Sequence, residues 1–213
     1  LRLSSKEGKP EYKEKIVEAR VGLAQLLQLC PSIDIPLEHL IGNVCRLTLP
    51  RFYTIASCPK VHSKSIHLTV AITKEQRQDG SFFEGVCSTH IANAGSKSLR
   101  VFVRPSTFRL PSSLNIPVIM IGPGTGIAPM RALIQDRKHQ FEAEGKTANM
   151  TNVLYFGCKK EELDYIYRDE LEAYHQEGTL QDLYVAFSRQ NPNQKEYVQH
   201  LLRQNGSYTY SLL

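Results

Sequence analysis

The chain has 213 residues, of which 41% are hydrophobic and 22% charged, the balance of a globular protein long enough for one large domain or two small ones. Its net charge of +5 comes from scattered basic residues and not from a run, which argues against nucleic acid as a partner. No stretch approaches the roughly 20 apolar residues of a membrane span, and no signal-peptide pattern opens the chain, so no membrane contact is expected of this segment.

Five cysteines (Cys30, Cys45, Cys58, Cys87 and Cys158) include no CxxC pair, and the seven histidines are equally dispersed. Neither a disulfide framework nor a metal site is expected, and a reducing compartment is. His62 and His67 flank a strand-like segment and read as structural or exposed.

In chain order, residues 11 to 29 place Ile16, Ala19, Leu23, Leu26 and Leu27 on one helical stripe. Pro31 and Pro36 punctuate, and PLEHLIGNV predicts a short second helix. From about residue 47 the texture turns to β: SIHLTVAITK alternates, QDGSFF suggests a hairpin turn, and LRVFVRPSTFRL supplies further strand-like segments. After PSSLNIP it changes again. PVIMI, NVLYFG and LYVAFS are short apolar runs of the kind that form parallel strands covered on both faces. Each precedes a charged helical pattern, with Gly145 and Gly178 as helix stops, so an α/β domain is expected from about residue 113 onward.

The sharpest local feature is VIMIGPGTGIAPMR. Gly122, Gly124 and Gly126 stand where a strand hands over to a helix, a turn that lets backbone N–H groups approach an anion beside a helix N-terminus. Pro129 suits the first turn, where an amide hydrogen is dispensable. The GxGxG spacing departs from the GxGxxG dinucleotide fingerprint, and a tight turn without a ligand is the alternative.

A second segment, AFSRQNPNQKEYVQH, ends the last strand in Ser188 and Arg189, with Lys195 and Tyr197 following. A hydroxyl, a guanidinium, an ammonium and a phenol suit a ribose 2′-phosphate, where a carboxylate would select the bare 2′-hydroxyl. A solvated loop is the alternative here. Joined to the glycine loop, the segment points to NADPH over NADH. RFYTIASC and EGVCST are weaker: Arg51 suits a phosphate, Tyr53 a planar ring, Thr54 a ring nitrogen, Gly85 a close backbone approach and Ser88 a hydroxyl contact.

Taken in order, RFYT, GVCS, GPGTGIAP, FGC, DYIYRDEL, AFSR and KEYVQH resemble the ferredoxin–NADP reductase-like module of the diflavin reductases, collinearly over most of residues 47 to 203. FVRPSTFRLP strengthens the likeness. The resemblance implies a fold that is α/β plus antiparallel β. Residues 1–46 would be a remnant of a helical connecting domain, 47–112 a partial flavin β-barrel, and 113–213 a Rossmann-like parallel α/β NADP-binding domain. It implies that Arg51 meets the FAD pyrophosphate, Tyr53 packs on the flavin and Thr54, the catalytic candidate, hydrogen-bonds near flavin N5. Gly85, Val86, Cys87 and Ser88 would add FAD contacts. Gly124, Thr125 and Gly126 would take the NADPH pyrophosphate, and Cys158 and Lys159 would line the nucleotide cleft. Ser188, Arg189, Lys195 and Tyr197 would hold the 2′-phosphate, with Gln199 beside the adenosine.

In such enzymes hydride passes from nicotinamide to FAD, then single electrons pass to FMN and a haem protein such as a cytochrome P-450. Nitric oxide synthase and sulfite reductase flavoproteins share the module. The family implies first barrel strands before this chain, and after it another α/β unit and a flavin-shielding aromatic. The family also often has an aromatic where Glu75 stands. Two readings follow: a working NADPH–flavin reductase module, or a nucleotide-binding portion that is impaired alone. The parent would lie at the endoplasmic reticulum membrane facing the cytoplasm, or in the cytoplasm.

Overall fold

The computed structural model describes every residue except Leu1, Arg46 and Gln78. The chain divides into two compact units, Leu1–Phe52 with Ile72–Arg100, and Tyr53–Ala71 with Val101–Leu213.

In the first unit, α1 (Lys9–Tyr12) continues as a π-helix over Lys13–Glu18, and α2 spans Leu23–Leu29. The stripe read from residues 11 to 29 is therefore cut in two. Arg20 takes a left-handed φ of 50°, and the Gln25 side chain accepts the Gly22 N–H at 2.9 Å, starting a fresh helix where glycine is a poor interior residue. The short helix α3 (Leu37–His39) runs on as a π-helix over Leu40–Val44. Strands β1 (Lys74–Gln76) and β2 (Phe82–Glu84) pair antiparallel, Glu75 opposite Phe83. Asp79 Oδ1 closes their turn by accepting from the Ser81 N–H at 2.9 Å and its hydroxyl at 2.6 Å. Gln78, which opens that turn in the sequence reading, lies outside the described residues. Glu75 pairs with Arg20 at 2.5 Å. Helix α4 (Val86–Ala92) follows, with Gly85 as its N-cap.

The antiparallel part is smaller than the alternation of residues 65–74 and 99–110 predicts. Apart from β1, those segments contribute one bridge among the described residues, Ile55 to Leu68. Ile66, Leu68, Val101, Phe102 and Val103 stay exposed; alternation supplies a face to bury, but a strand also needs a neighbour for its backbone.

The second unit is built on three parallel strands, β3 (Val118–Pro123), β4 (Asn152–Cys158) and β5 (Asp182–Phe187), in the order β3-β4-β5. The central strand β4 is buried along nearly its whole length, which is why NVLYFGC lacks polar alternation. Crossovers are α5 (Ile127–Ala143) between β3 and β4, and α6 (Glu161–Asp164) with α7 (Arg168–Gln176) between β4 and β5. The single helical pattern read after β4 breaks at Tyr167, whose φ is 60°. Helices α8 (Val198–Gln204) and α9 (Gly206–Ser211) follow β5. Gly145 and Gly178 adopt φ of 70° and 82° just past α5 and α7, as helix-terminating glycines do.

The core gathers Met120, Ile127, Met130, Ile134, Leu154, Phe156, Leu171 and Leu180 between sheet and helices. Each such fully buried side chain contributes about 1.5–3 kcal/mol relative to an exposed one. This core fixes α5 on the sheet and holds the glycine turn at the end of β3.

Candidate functional site

β3, β4 and β5 run parallel, with Pro123 opposite Gly157 and Cys158 opposite Phe187. The segments after the three strands therefore emerge at one carboxyl edge, where open α/β sheets take ligands. The sequence-predicted nucleotide residues Gly124, Thr125, Gly126, Cys158, Lys159, Ser188 and Arg189 meet there.

The glycine turn folds as one 3₁₀ turn, Gly124–Gly126, leading into α5. Its glycines do different work. A Cβ on Gly122 would lie 2.7 Å from the Gly126 carbonyl oxygen and 2.9 Å from Met130 Cγ, so that glycine permits the turn to close against its own helix. Gly124 has φ of 58°, and a Cβ there would meet nothing within 4 Å. Packing does not demand a bare backbone at that point, although the conformation does. The space over it is open. Thr125 is exposed beside it. The N-cap of α5 makes no side-chain hydrogen bond, so the first N–H groups of this 17-residue helix are not claimed by a capping side chain.

Past β4 and β5 the ladder continues: the Ser188 N–H donates to the Cys158 carbonyl at 2.9 Å, and the Arg189 N–H to that of Lys159 at 2.8 Å. The Ser188 hydroxyl also donates to the Cys158 carbonyl at 3.3 Å. Lys159, Arg189 and Lys195 are exposed, and among the described residues none has a carboxylate partner within ion-pair distance. Uncommitted cations at the edge that carries the open glycine suit an anionic nucleotide. Tyr197 caps α8 and meets the His200 ring edge-on at 5.7 Å, and Gln199 lies exposed on the first turn of α8. Burial, followed by the charges of Asp164 and Glu161, pushes the Cys158 thiol up to about 12, so it lines the edge as a neutral thiol.

The flavin candidates divide between the two units. In the first, Arg51 is exposed and its Nη1 donates to the Leu49 carbonyl at 2.8 Å. Gly85, Val86, Cys87 and Ser88 form the cap and opening turn of α4. Ser88 is buried, its hydroxyl accepting from the Thr73 N–H at 3.2 Å and donating to the Gly85 carbonyl at 3.4 Å; Val86 is exposed. A Cβ on Gly85 would meet Ser88 Oγ at 2.5 Å, so the turn is tightly closed by its own side chains. In the second unit, Tyr53 is half-buried and Thr54 exposed.

No sequence pattern assigns a role to the polar cluster that holds the backbone of Ala56 and Cys58. Arg131 and Gln135 are one helical turn apart on α5, and both reach Glu170 of α7, at 2.7 and 2.9 Å. Arg131 also donates to the Ala56 carbonyl at 2.7 Å, and Gln135 accepts the Cys58 N–H at 2.9 Å. The Arg131 guanidinium lies over the Tyr167 ring, 4.7 Å from its centroid. His67, read as structural or exposed, lies 3.2 Å from Arg131 through Nδ1. The available signal was the i, i+4 pair of polar residues on a helix whose other face is apolar.

Residues 1–90 match the FAD binding domain family, and residues 120–208 the oxidoreductase NAD-binding domain family. The chain is thus built from the FAD-binding and NAD-binding domains of ferredoxin–NADP reductase-like oxidoreductases. It is similar to NADPH–cytochrome P450 reductase of Homo sapiens, with 41% identity over 99% of this chain and 32% of that protein. The Sus scrofa and Drosophila melanogaster proteins of the same name are 41% and 39% identical over 99% and 98% of this chain. The chain spans about a third of the length of the curated relatives it matches (31–32%). No helix among the described residues is long and apolar enough to cross a membrane.

Proposed function

We propose that this chain is the FAD- and NADPH-binding portion of an NADPH–cytochrome P450 reductase-like flavoprotein. The observation that carries the reading is the open, positive-φ Gly124 at the sheet edge that also presents Lys159 and Arg189 uncommitted. Gly124, Thr125 and Gly126 bind the NADPH diphosphate; Cys158 and Lys159 line the cleft; Ser188, Arg189, Lys195 and Tyr197 hold the 2′-phosphate, with Gln199 beside the adenosine. Arg51, Gly85, Val86, Cys87 and Ser88 serve the FAD pyrophosphate, Val86 and Cys87 through the backbone of the turn. Tyr53 packs on the flavin, and Thr54 orients it through a hydrogen bond near N5. Together the two cofactors supply hydride transfer from NADPH to FAD, with electrons passing on to FMN and a haem acceptor in the parent. The division at residues 46 and 112 into connecting, flavin and nucleotide parts belongs to the same proposal, as does a parent at the cytoplasmic face of the endoplasmic reticulum or in the cytoplasm.

The chain's own contribution is placement. Fixed backbone donors and cations hold the nucleotide through groups remote from the reacting carbon, and so align the rings without further ordering at the moment of reaction. Titrating the chain with NADPH and NADH by nucleotide fluorescence tests the reading. Preference for NADPH by at least about tenfold is expected from charge-assisted contacts to a phosphate that NADH lacks. Equal affinities would remove the 2′-phosphate clamp.

A further inference from the structure

We infer that Asp164 is the positioning residue that sets the register of the 2′-phosphate clamp, and with it the preference for a 2′-phosphorylated nucleotide. The inference rests on the assignment of Ser188, Arg189, Lys195 and Tyr197 made above.

The Asp164 carboxylate turns back on the segment that leaves β4. Its Oδ2 accepts the Lys159 N–H at 2.9 Å, and its Oδ1 the same N–H at 3.1 Å and the Lys160 N–H at 2.8 Å. The helix bearing Asp164 has four residues, too few to hold a conformation unaided, and its N-cap, Lys160, provides no side-chain bond. The Leu163 and Asp164 N–H groups reach the Lys160 carbonyl at 3.4 and 3.2 Å, and the carboxylate closes the turn from the other side with shorter contacts, at 2.8 and 2.9 Å.

Lys159 therefore has both faces of its backbone committed. Its N–H is held by Asp164, and its carbonyl receives the Arg189 N–H at 2.8 Å. One residue earlier, the Cys158 carbonyl takes both the N–H and the hydroxyl of Ser188. Gln190 adds a stitch, its Oε1 accepting the Glu161 N–H at 3.2 Å. The regular pairing of β4 with β5 ends at Cys158 opposite Phe187. Beyond it, the backbone positions of Ser188 and Arg189 depend on a Lys159 peptide whose orientation Asp164 fixes.

Electrostatics alone would not favour a carboxylate near an anion site. Here three N–H contacts absorb the charge, Glu161 is paired with Arg168 at 2.9 Å, and the exposed Lys159 and Arg189 side chains stay uncommitted. Removing the carboxylate frees the turn, and a displacement of even 1 Å in a clamp built on bond geometry is felt in affinity.

The test compares adenosine 2′,5′-bisphosphate with 5′-AMP, which differ only in the 2′-phosphate, by calorimetric titration of the whole chain and its Asp164→Ala, Asp164→Asn and Arg189→Ala variants. Asp164→Ala is expected to weaken the bisphosphate about tenfold and 5′-AMP less than about twofold. Asp164→Asn, which keeps an acceptor oxygen and guards against a folding defect in the alanine variant, falls between. If Arg189→Ala selectively loses the bisphosphate while both Asp164 variants keep the parent ratio, or weaken both ligands alike, the inference fails and the clamp stands. If the parent chain does not discriminate the two ligands, or Arg189→Ala leaves the discrimination intact, the clamp assignment fails and takes the inference with it.

Discussion

Arg131 donates from Nε to Glu170 at 2.7 Å and from Nη1 to the Ala56 carbonyl at 2.7 Å. One side chain from the helix after the glycine turn thus holds both α7 and the segment two residues beyond Thr54. Arg131 is 7% exposed, and a buried pair of this kind is worth most as a constraint: it leaves uncompensated groups behind when broken.

Arg131→Met is accordingly expected to destabilise the fold by about 3–5 kcal/mol, because Glu170 loses its charge partner in a partly dry site. Adding Glu170→Met should recover part of the loss. Urea unfolding of the single and double variants measures both, and a single variant as stable as the parent would show that the pair constrains nothing.

Acid stability should report the same cluster. Burial raises the Glu170 carboxyl, but the bonds from Arg131, Gln135 and Tyr174 outweigh it and hold the group below the ordinary carboxylate value. The folded pKa lies under the unfolded one. The stabilisation is therefore complete above about pH 4.3 and disappears as pH falls through the folded value. The stability gap between the parent and Glu170→Gln is expected to narrow in that acid range. A gap constant from neutral pH to below pH 3 would contradict the shift.

Two glycines two positions apart, Gly122 and Gly124, should fail differently. Gly124→Ala adds a Cβ into open space at φ 58°, a strain of about 1–2 kcal/mol that the fold should survive. With the diphosphate seated on this turn as proposed, NADPH and NADH binding should both fall, by about a hundredfold if the diphosphate contacts are lost. Gly122→Ala drives a Cβ to 2.7 Å from the Gly126 carbonyl oxygen and should lower the melting temperature first. Thermal melts paired with nucleotide titration separate the two, and full binding by Gly124→Ala would leave the turn purely structural.

Arg189→Ala removes a charge that only a 2′-phosphate would need. NADPH affinity should drop about tenfold to a hundredfold and NADH affinity by less than about twofold. A matched loss for both nucleotides in calorimetry would move Arg189 out of the clamp.

How much of this could be read in the sequence depended on how local each feature is. The glycine turn, the three apolar strand runs and the stops at Gly145 and Gly178 are written within a few residues, and each lies where its pattern put it. The Arg131 cluster was only partly legible: the spacing of Arg131 and Gln135 is local, but Ala56 and Cys58 contribute only backbone groups, more than 70 residues away, and backbone partners leave no mark in composition. Tyr167 was equally hidden. Its left-handed φ is tolerated because its hydroxyl bonds Thr69 at 2.8 Å and its ring lies under Arg131, contacts that the helical pattern of DYIYRDELEAYHQ cannot announce. The strand-like segments around residues 65–74 and 99–110 erred in the other direction. Their side chains alternate as strands do, yet pairing is a property of two segments and alternation of one.

Binding of FAD and its reduction by NADPH are measured most directly in the visible spectrum of the chain after incubation with FAD and removal of the excess, followed by anaerobic addition of NADPH in the same cuvette. The expected result is a retained flavin band near ~450 nm that NADPH bleaches faster than an equal concentration of NADH does. A colourless protein, or a bound flavin that NADPH leaves oxidised, would contradict it.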